Sequence, residues 1–182
     1  MTPFNRRAVL AAAGTVAALG VTRKPLAAGA MKDLAALRPA RKDAAVPEVR
    51  FTAADGAART LADYAGQGVV LNLWATWCPP CVAEMPALDE LARDLHAERI
   101  AVLALSSDRG GAAVVERFYK DRGIRDLSVL LDPRGEATRA LGVRGLPTTL
   151  VIDRKGRERT RVEGPADWAA PASAGMIRDL VG

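Results

Sequence analysis

Metal-ligating side chains are scarce in this sequence of 182 residues, which holds two cysteines and one histidine. A structural zinc site takes four ligands, drawn mainly from cysteine and histidine, so these side chains do not suffice for one. We predict that the chain binds neither a metal nor another cofactor. The single histidine, His96, falls near the end of a predicted helix and far in sequence from both cysteines. We interpret it as a surface residue.

The chain also lacks an excess of one charge outside its N-terminus. Its net charge is +5, but residues 1–30 contribute four basic residues and no acidic one. The remainder carries 22 basic and 21 acidic residues, so composition gives no case for binding nucleic acid. With 49% apolar and 26% charged residues, the chain has the composition of a globular protein. Its length suits one domain with a sizeable core.

No apolar run is long enough to favour a transmembrane helix. The longest one at the N-terminus, Ala8 to Val21, has 14 residues, against about 20 for a membrane span. Arg6-Arg7 precedes this run and Ala28-Gly29-Ala30 follows it, a pattern typical of an export signal cleaved after Ala30. The arginine pair favours the twin-arginine route, with the general secretory route and an uncleaved N-terminal anchor as alternatives. We therefore predict a periplasmic protein.

Both cysteines lie where an apolar run gives way to helical spacing. Residues 69–74 are rich in valine and leucine, as expected for a buried strand. Beyond the cysteines, apolar residues recur at intervals of three or four, at Val82, Met85, Leu88, Leu91 and Leu95. Proline is well tolerated in a first helical turn. We predict a helix from Pro79 to Ala97, with Cys78 at its N-terminus.

That position favours redox chemistry at the cysteine pair. Unpaired N–H groups and the helix dipole both stabilise a thiolate, and a low-pKa sulfur is also a better leaving group. We predict that Cys78 is an exposed nucleophile and that Cys81, one turn further along, is the shielded thiol that resolves a mixed disulfide. A purely structural disulfide is the alternative. It is disfavoured because a disulfide that closes a four-residue loop stabilises the folded state by only roughly 2 kcal/mol, against about 4.7 kcal/mol for a 100-residue loop.

The rest of the chain alternates strands and helices, which predicts a mixed sheet covered by helices on both faces. Residues 31–47 are interpreted as a flexible lead-in and residues 48–182 as the folded domain. The predicted strands are 49–51, 69–74, 100–105, 127–131, 148–152 and 158–162; the predicted helices are 60–64, 79–97, 112–122, 136–141 and 167–181. The helix at 112–122 is predicted to bury Val114, Val115, Phe118 and Tyr119.

The run Trp-Ala-Thr-Trp-Cys-Pro-Pro-Cys at 74–81, with Gly-Leu-Pro-Thr at 145–148, resembles the thioredoxin superfamily. The run Cys-Val-Ala-Glu-Met-Pro at 81–86 and the extra helix–strand segment at 112–131 are similar to the TlpA/ResA-type branch. The resemblance covers residues 48–182. It implies a thioredoxin-like α/β fold, a central mixed sheet flanked by helices on both faces, with the helix–strand insertion of that branch.

The resemblance also implies a redox site. Cys78 and Cys81 match the redox pair, and Pro147 matches a proline that is cis in the superfamily. A cis X–Pro bond is uncommon; here it would present Leu146 to a partner peptide that pairs as an added strand. Trp77, with Pro79 and Pro80, is predicted to complete the docking surface.

Two polar residues near the pair also follow from the resemblance. Glu84 matches an acidic residue that exchanges a proton with Cys81, its pKa raised by partial burial; a solvated or salt-bridged glutamate is the alternative. Asn72 stands where thioredoxins proper carry a buried aspartate. Since asparagine does not titrate, that proton route is absent.

The implied activity is that of a protein disulfide reductase outside the cytoplasm. Its clients would be disulfide-containing apoproteins that await cofactor insertion, such as apocytochrome c or copper-site proteins of respiratory oxidases. A membrane electron donor of the thiol-relay type would re-reduce it, and a monomer is expected. A disulfide oxidant or isomerase remains an alternative, because surroundings shift such potentials by roughly 150 mV. A copper chaperone on this fold is disfavoured, since those use Cys-x-x-x-Cys and a distant histidine.

Overall fold

The computed structural model describes residues 44–182; the predicted export signal and residues 31–43 of the lead-in lie outside this range. The strands are β1 (Arg50–Ala53), β2 (Ala58–Thr60), β3 (Gly68–Trp74), β4 (Ile100–Ser106), β5 (Leu130–Leu131), β6 (Thr148–Ile152) and β7 (Glu158–Glu163). The helices are α1 (Pro79–Leu95), α2 (Ala112–Arg122), α3 (Glu136–Ala140) and α4 (Pro171–Val181), with 3₁₀ turns at Leu61–Tyr64 and His96–Glu98. None of the helices within 44–182 is both long and apolar enough to cross a membrane.

All seven strands form one mixed sheet in the order β2-β1-β5-β4-β3-β6-β7. The buried strand β3 runs parallel to β4, with Trp74 opposite Ser106, and antiparallel to β6, with Leu73 opposite Thr148. The ends of β3 and β4 therefore meet the start of β6 at one edge of the sheet. We call this edge, marked by Trp74, Ser106 and Thr148, the Cys78 edge.

Successive side chains of β3 point to opposite faces of the sheet, and both faces are covered. Val70 and Trp74 belong to a core shared with α1, α2 and α4. Leu71 and Leu73 belong to a second core, shared with α3 and packed against the 3₁₀ turn at Leu61–Tyr64. The predicted thioredoxin-like α/β architecture, with helices on both faces, is confirmed.

Element bounds agree with prediction where the signals are local, as at 112–122 and 148–152, and differ elsewhere. The strand β2 was not predicted. The strand predicted at 127–131 is reduced to Leu130–Leu131, because backbone N–H groups of residues 125–127 donate to the Asp89 carboxylate on α1. The last helix begins at Pro171 rather than Asp167, because the residue before a proline is disfavoured in the α region.

Two further expectations are corrected by packing. Val114 is 38% exposed, while Val115 and Tyr119 are buried, because the apolar stripe of α2 is narrower than predicted. The folded domain also begins before Glu48. The Glu158 N–H donates to the Ala44 carbonyl and the Val46 N–H to the Gly156 carbonyl, so residues 44–46 lie against the β6–β7 hairpin.

Candidate active site

Cys78 and Cys81 form a disulfide across the first turn of α1, with 5.3 Å between their Cα atoms. Cys81 is fully buried, and Cys78 is only 5% exposed. The expectation of an exposed Cys78 is therefore wrong, because this side chain joins the core against which Leu146 packs. The exposed group at this position is the neighbouring Trp77, at 67%.

Cys78 is the N-cap residue of α1, followed by Pro79 at the first helical position and Pro80 at the second. An N-cap side chain accepts hydrogen bonds from the N–H groups of the second and third helical residues. Proline has no N–H, so the Cys81 N–H at the third position is the donor left for a Cys78 thiolate. This helix start is poorer in donors than the sequence argument assumed.

The proline predicted far along the chain reaches the same site. The Leu146–Pro147 peptide bond is cis. Because β6 begins beside the end of β3, Leu146 and Pro147 lie at the Cys78 edge. Leu146 is half-buried against both cores, and Pro79, between the two cysteines in the chain, is exposed.

Glu84 lies one turn beyond Cys81 on α1 and is 1% exposed. Its Oε1 accepts from Asn72 Nδ2 at 2.8 Å, and its Oε2 accepts from the Ala166 N–H at 3.2 Å and from Trp168 Nε1 at 3.1 Å. Burial raises the pKa of Glu84, and these three hydrogen bonds oppose that effect. The alternatives of a solvated or salt-bridged glutamate do not hold, since no cation among residues 44–182 pairs with it.

Asn72 connects Glu84 to the strand of Pro147. Its Nδ2 donates both to Glu84 and to Thr149 Oγ1, at 2.8 and 2.9 Å, while its buried Oδ1 has no partner within the described chain. A half-turn of the amide would present Oδ1 to Glu84 instead. Asn72 therefore suits a neutral as well as an ionised Glu84, although it does not titrate itself.

A second buried carboxylate at this edge was missed by sequence reasoning. Asp108 accepts from the Thr76 N–H at 2.9 Å, from Thr76 Oγ1 at 2.7 Å and from Ser106 Oγ at 2.8 Å. It thereby ties the end of β4 to the loop that leads into Cys78. The signal was a Ser-Ser-Asp run directly after a buried strand. Ala166 and Trp168 carried no sequence signal as partners of Glu84.

Comparisons with known proteins identify the family of the chain. A model of the redoxin family matches residues 41–175. The chain is 35% identical over 118 residues to the thiol-disulfide oxidoreductase ResA of Bacillus thuringiensis, covering 65% of this chain and 67% of that protein.

Solved structures point the same way. One, described as a thiol:disulfide interchange protein DsbE from Chlorobium tepidum, is 27% identical with a TM-score of 0.68, covering 78% of this chain and 98% of that one. Another, an exposed lipoprotein thioredoxin from Streptococcus pneumoniae, is 30% identical with a TM-score of 0.62, covering 73% and 99%. With its paired cysteines at the start of α1, the chain belongs to the redoxin family and is a ResA-like thiol–disulfide oxidoreductase.

Proposed function

We propose that this oxidoreductase acts outside the cytoplasm as a reductant of protein disulfides. The Cys78 thiolate attacks a client disulfide, one client sulfur leaves, and a mixed disulfide forms at Cys78. The Cys81 thiolate then attacks the Cys78 sulfur and releases the client as a dithiol. The client gains two electrons, and the Cys78–Cys81 disulfide is the oxidised product. The observation that carries this proposal is the difference in burial between the two cysteines, since Cys78 at the N-cap of α1 keeps 5% of its surface exposed and Cys81 keeps none.

The docking surface consists of the exposed and half-buried residues around Cys78. Trp77 and Pro79 are exposed, and Pro80 and Leu146 are half-buried. A client segment adds to the backbone at Leu146, next to the cis bond to Pro147. Trp77, next to Cys78 in the chain and 67% exposed, offers an aromatic contact.

Glu84 supplies the proton relay for the second step. Cys81 must lose its proton before it attacks, and the enclosed site admits no solvent base directly. A buried carboxylate with a raised pKa accepts a proton from a thiol more readily than an exposed one does. The Asn72 amide, with its free Oδ1, adjusts to the protonated form.

The reducing direction is supported by Pro80 at the second helical position. Pro80 withholds one of the two N–H donors that an N-cap side chain uses, which leaves a Cys78 thiolate less stabilised and the disulfide form relatively favoured. The export-type N-terminus supports a periplasmic location. By resemblance, the clients are apoproteins awaiting haem or copper, and a membrane thiol-relay donor restores the dithiol.

The deciding experiment is the equilibrium reduction potential measured against glutathione, with Cys78→Ser and Cys81→Ser as controls. A reductant should have a value near −270 mV, whereas a value near −120 mV would assign an oxidant instead. Two measurements on the full chain test the compartment and the identity of the clients. Fractionation of cells tests the compartment, and a Cys81→Ser trap should retain apocytochrome or copper-site clients as mixed disulfides through Cys78.

A further inference from the structure

We propose that Arg109 and Arg144 make the Cys78 edge selective for client segments with acidic residues beside their disulfide. This inference rests on the proposed reduction of client disulfides at Cys78 and names the class of substrate that this site prefers. The two arginines come from different loops, on opposite sides of the end of β3.

Strand order and two hydrogen bonds place these loops. Because β3 lies between β4 and β6, the loop after β4 and the loop before β6 flank the segment that leads into Cys78. Arg109 directly follows Asp108, which is bonded to Thr76. Arg144 precedes Gly145, whose carbonyl accepts from Thr148 Oγ1 at 2.7 Å. Each loop is thus tied to the Cys78 edge.

Both arginines are exposed, and neither side chain has a hydrogen-bond or ion-pair partner within residues 44–182. Arginines elsewhere on the surface often have one, as in Arg117–Asp121 and Arg178–Glu98. Two positive charges at the Cys78 edge are therefore available to a bound client.

No acidic side chain among residues 44–182 forms an ion pair with either arginine. Asp108 and Glu84 are buried and each already accepts three hydrogen bonds. Glu163 interacts with Arg161. Asp167 is half-buried and follows Ala166, which bonds to Glu84 and so lies over the α1 face of the sheet.

An extended client carries the residues that flank its cystine along the Cys78 edge. A strand that adds at Leu146 advances about 3.3 Å per residue, so residues two to four positions from the client cystine lie roughly 7–13 Å from Cys78. These separations are comparable to the Debye length of about 10 Å at 0.1 M salt. Attraction between exposed charges acts mainly on the rate of association and weakens with salt.

The test uses the reduced full chain and three peptides of equal length, each closed by one internal disulfide. The peptides differ only in the residues that flank the cystine, which are Glu, Gln or Lys. We expect the Glu peptide to oxidise the protein about tenfold faster than the Lys peptide at low salt, and about threefold or less near 0.5 M salt. The Arg109→Gln/Arg144→Gln double variant should bring the low-salt ratio close to one.

The matched control is Arg99→Gln/Arg125→Gln, which also removes two positive charges. Arg99 precedes β4 at the end of β3 and β4 that lies away from Cys78, and the Arg125 N–H donates to Asp89, past the middle of α1. This control should keep the tenfold preference. Equal rates for the Glu and Lys peptides with wild type, or the same loss in both double variants, would overturn the inference. If wild type fails to reduce even the Gln peptide, the proposed function itself fails.

Discussion

Replacing Glu84 by glutamine separates the burial of its charge from its role as a hydrogen-bond acceptor. The glutamine Oε1 can accept from the Ala166 N–H and from Trp168 Nε1. Its Nε2 can then donate to Asn72 Oδ1 once that amide has turned. In the Glu84→Ala variant, the Ala166 N–H and Trp168 Nε1 lose their acceptor, whereas Asn72 keeps its hydrogen bond to Thr149. Glu84→Ala should therefore be less stable than Glu84→Gln by about 2–6 kcal/mol at every pH, at about 1–3 kcal/mol per buried unpaired donor.

The glutamine effect depends on pH, and its sign follows from the raised pKa of Glu84. Folding favours the protonated carboxyl, so this contribution to stability is fully present below the unfolded pKa of about 4.3. It is lost as pH rises through the folded pKa. Glutamine stays neutral throughout. From about pH 4 to pH 8, the unfolding free energy of Glu84→Gln should rise relative to that of wild type. The rise should be about 1.4 kcal/mol for each unit by which the pKa of Glu84 is higher in the folded than in the unfolded chain.

The assay is urea unfolding of the oxidised protein at several pH values across that range, since the disulfide keeps both cysteines from titrating. A difference between Glu84→Gln and wild type that is constant with pH, or that moves against glutamine as pH rises, would refute the reasoning. In the reduced protein, the proton relay predicts that the same variant shifts the titration of Cys81, followed by thiolate absorbance.

Two further variants probe how Cys78 is held. Pro80→Ala restores an N–H at the second helical position, and one hydrogen bond to a thiolate, about 1.5–3 kcal/mol, should lower the pKa of Cys78 by about 1–2 units. The pH profile of alkylation measures this, with Pro79→Ala as the control that leaves the cap donors unchanged. Asp108→Asn and Asp132→Asn each alter a buried carboxylate that accepts from a threonine hydroxyl and a backbone N–H. Both substitutions should destabilise the fold by about 1–3 kcal/mol. Only Asp108→Asn should also change the alkylation rate of Cys78. Equal alkylation rates in the two variants would contradict the role of Asp108 in holding the loop before Cys78.

Local signals predicted several elements well. Gly123, with φ of 71°, ends α2, and the apolar run at 148–152 forms β6 with the predicted bounds. The strand at 127–131 was overestimated because Leu127 and the two residues before it bond to Asp89, 36 to 38 positions earlier in the chain. No periodicity within the segment itself carries that information.

The candidate site likewise combines features that neighbouring residues predict with features that depend on distant contacts. The sequence alone determined that two cysteines occupy the first turn of a helix after a buried strand, and motif resemblance added Glu84 and Pro147. Only the tertiary structure decided that Cys78 is buried, that Asp108 secures its loop, and that Glu84 accepts from Ala166 and Trp168, 82 and 84 positions away. The physical reason is that cysteine spacing and helix start are properties of neighbouring residues. Burial and hydrogen-bond partners instead depend on strand register and on which segments the sheet brings to one edge.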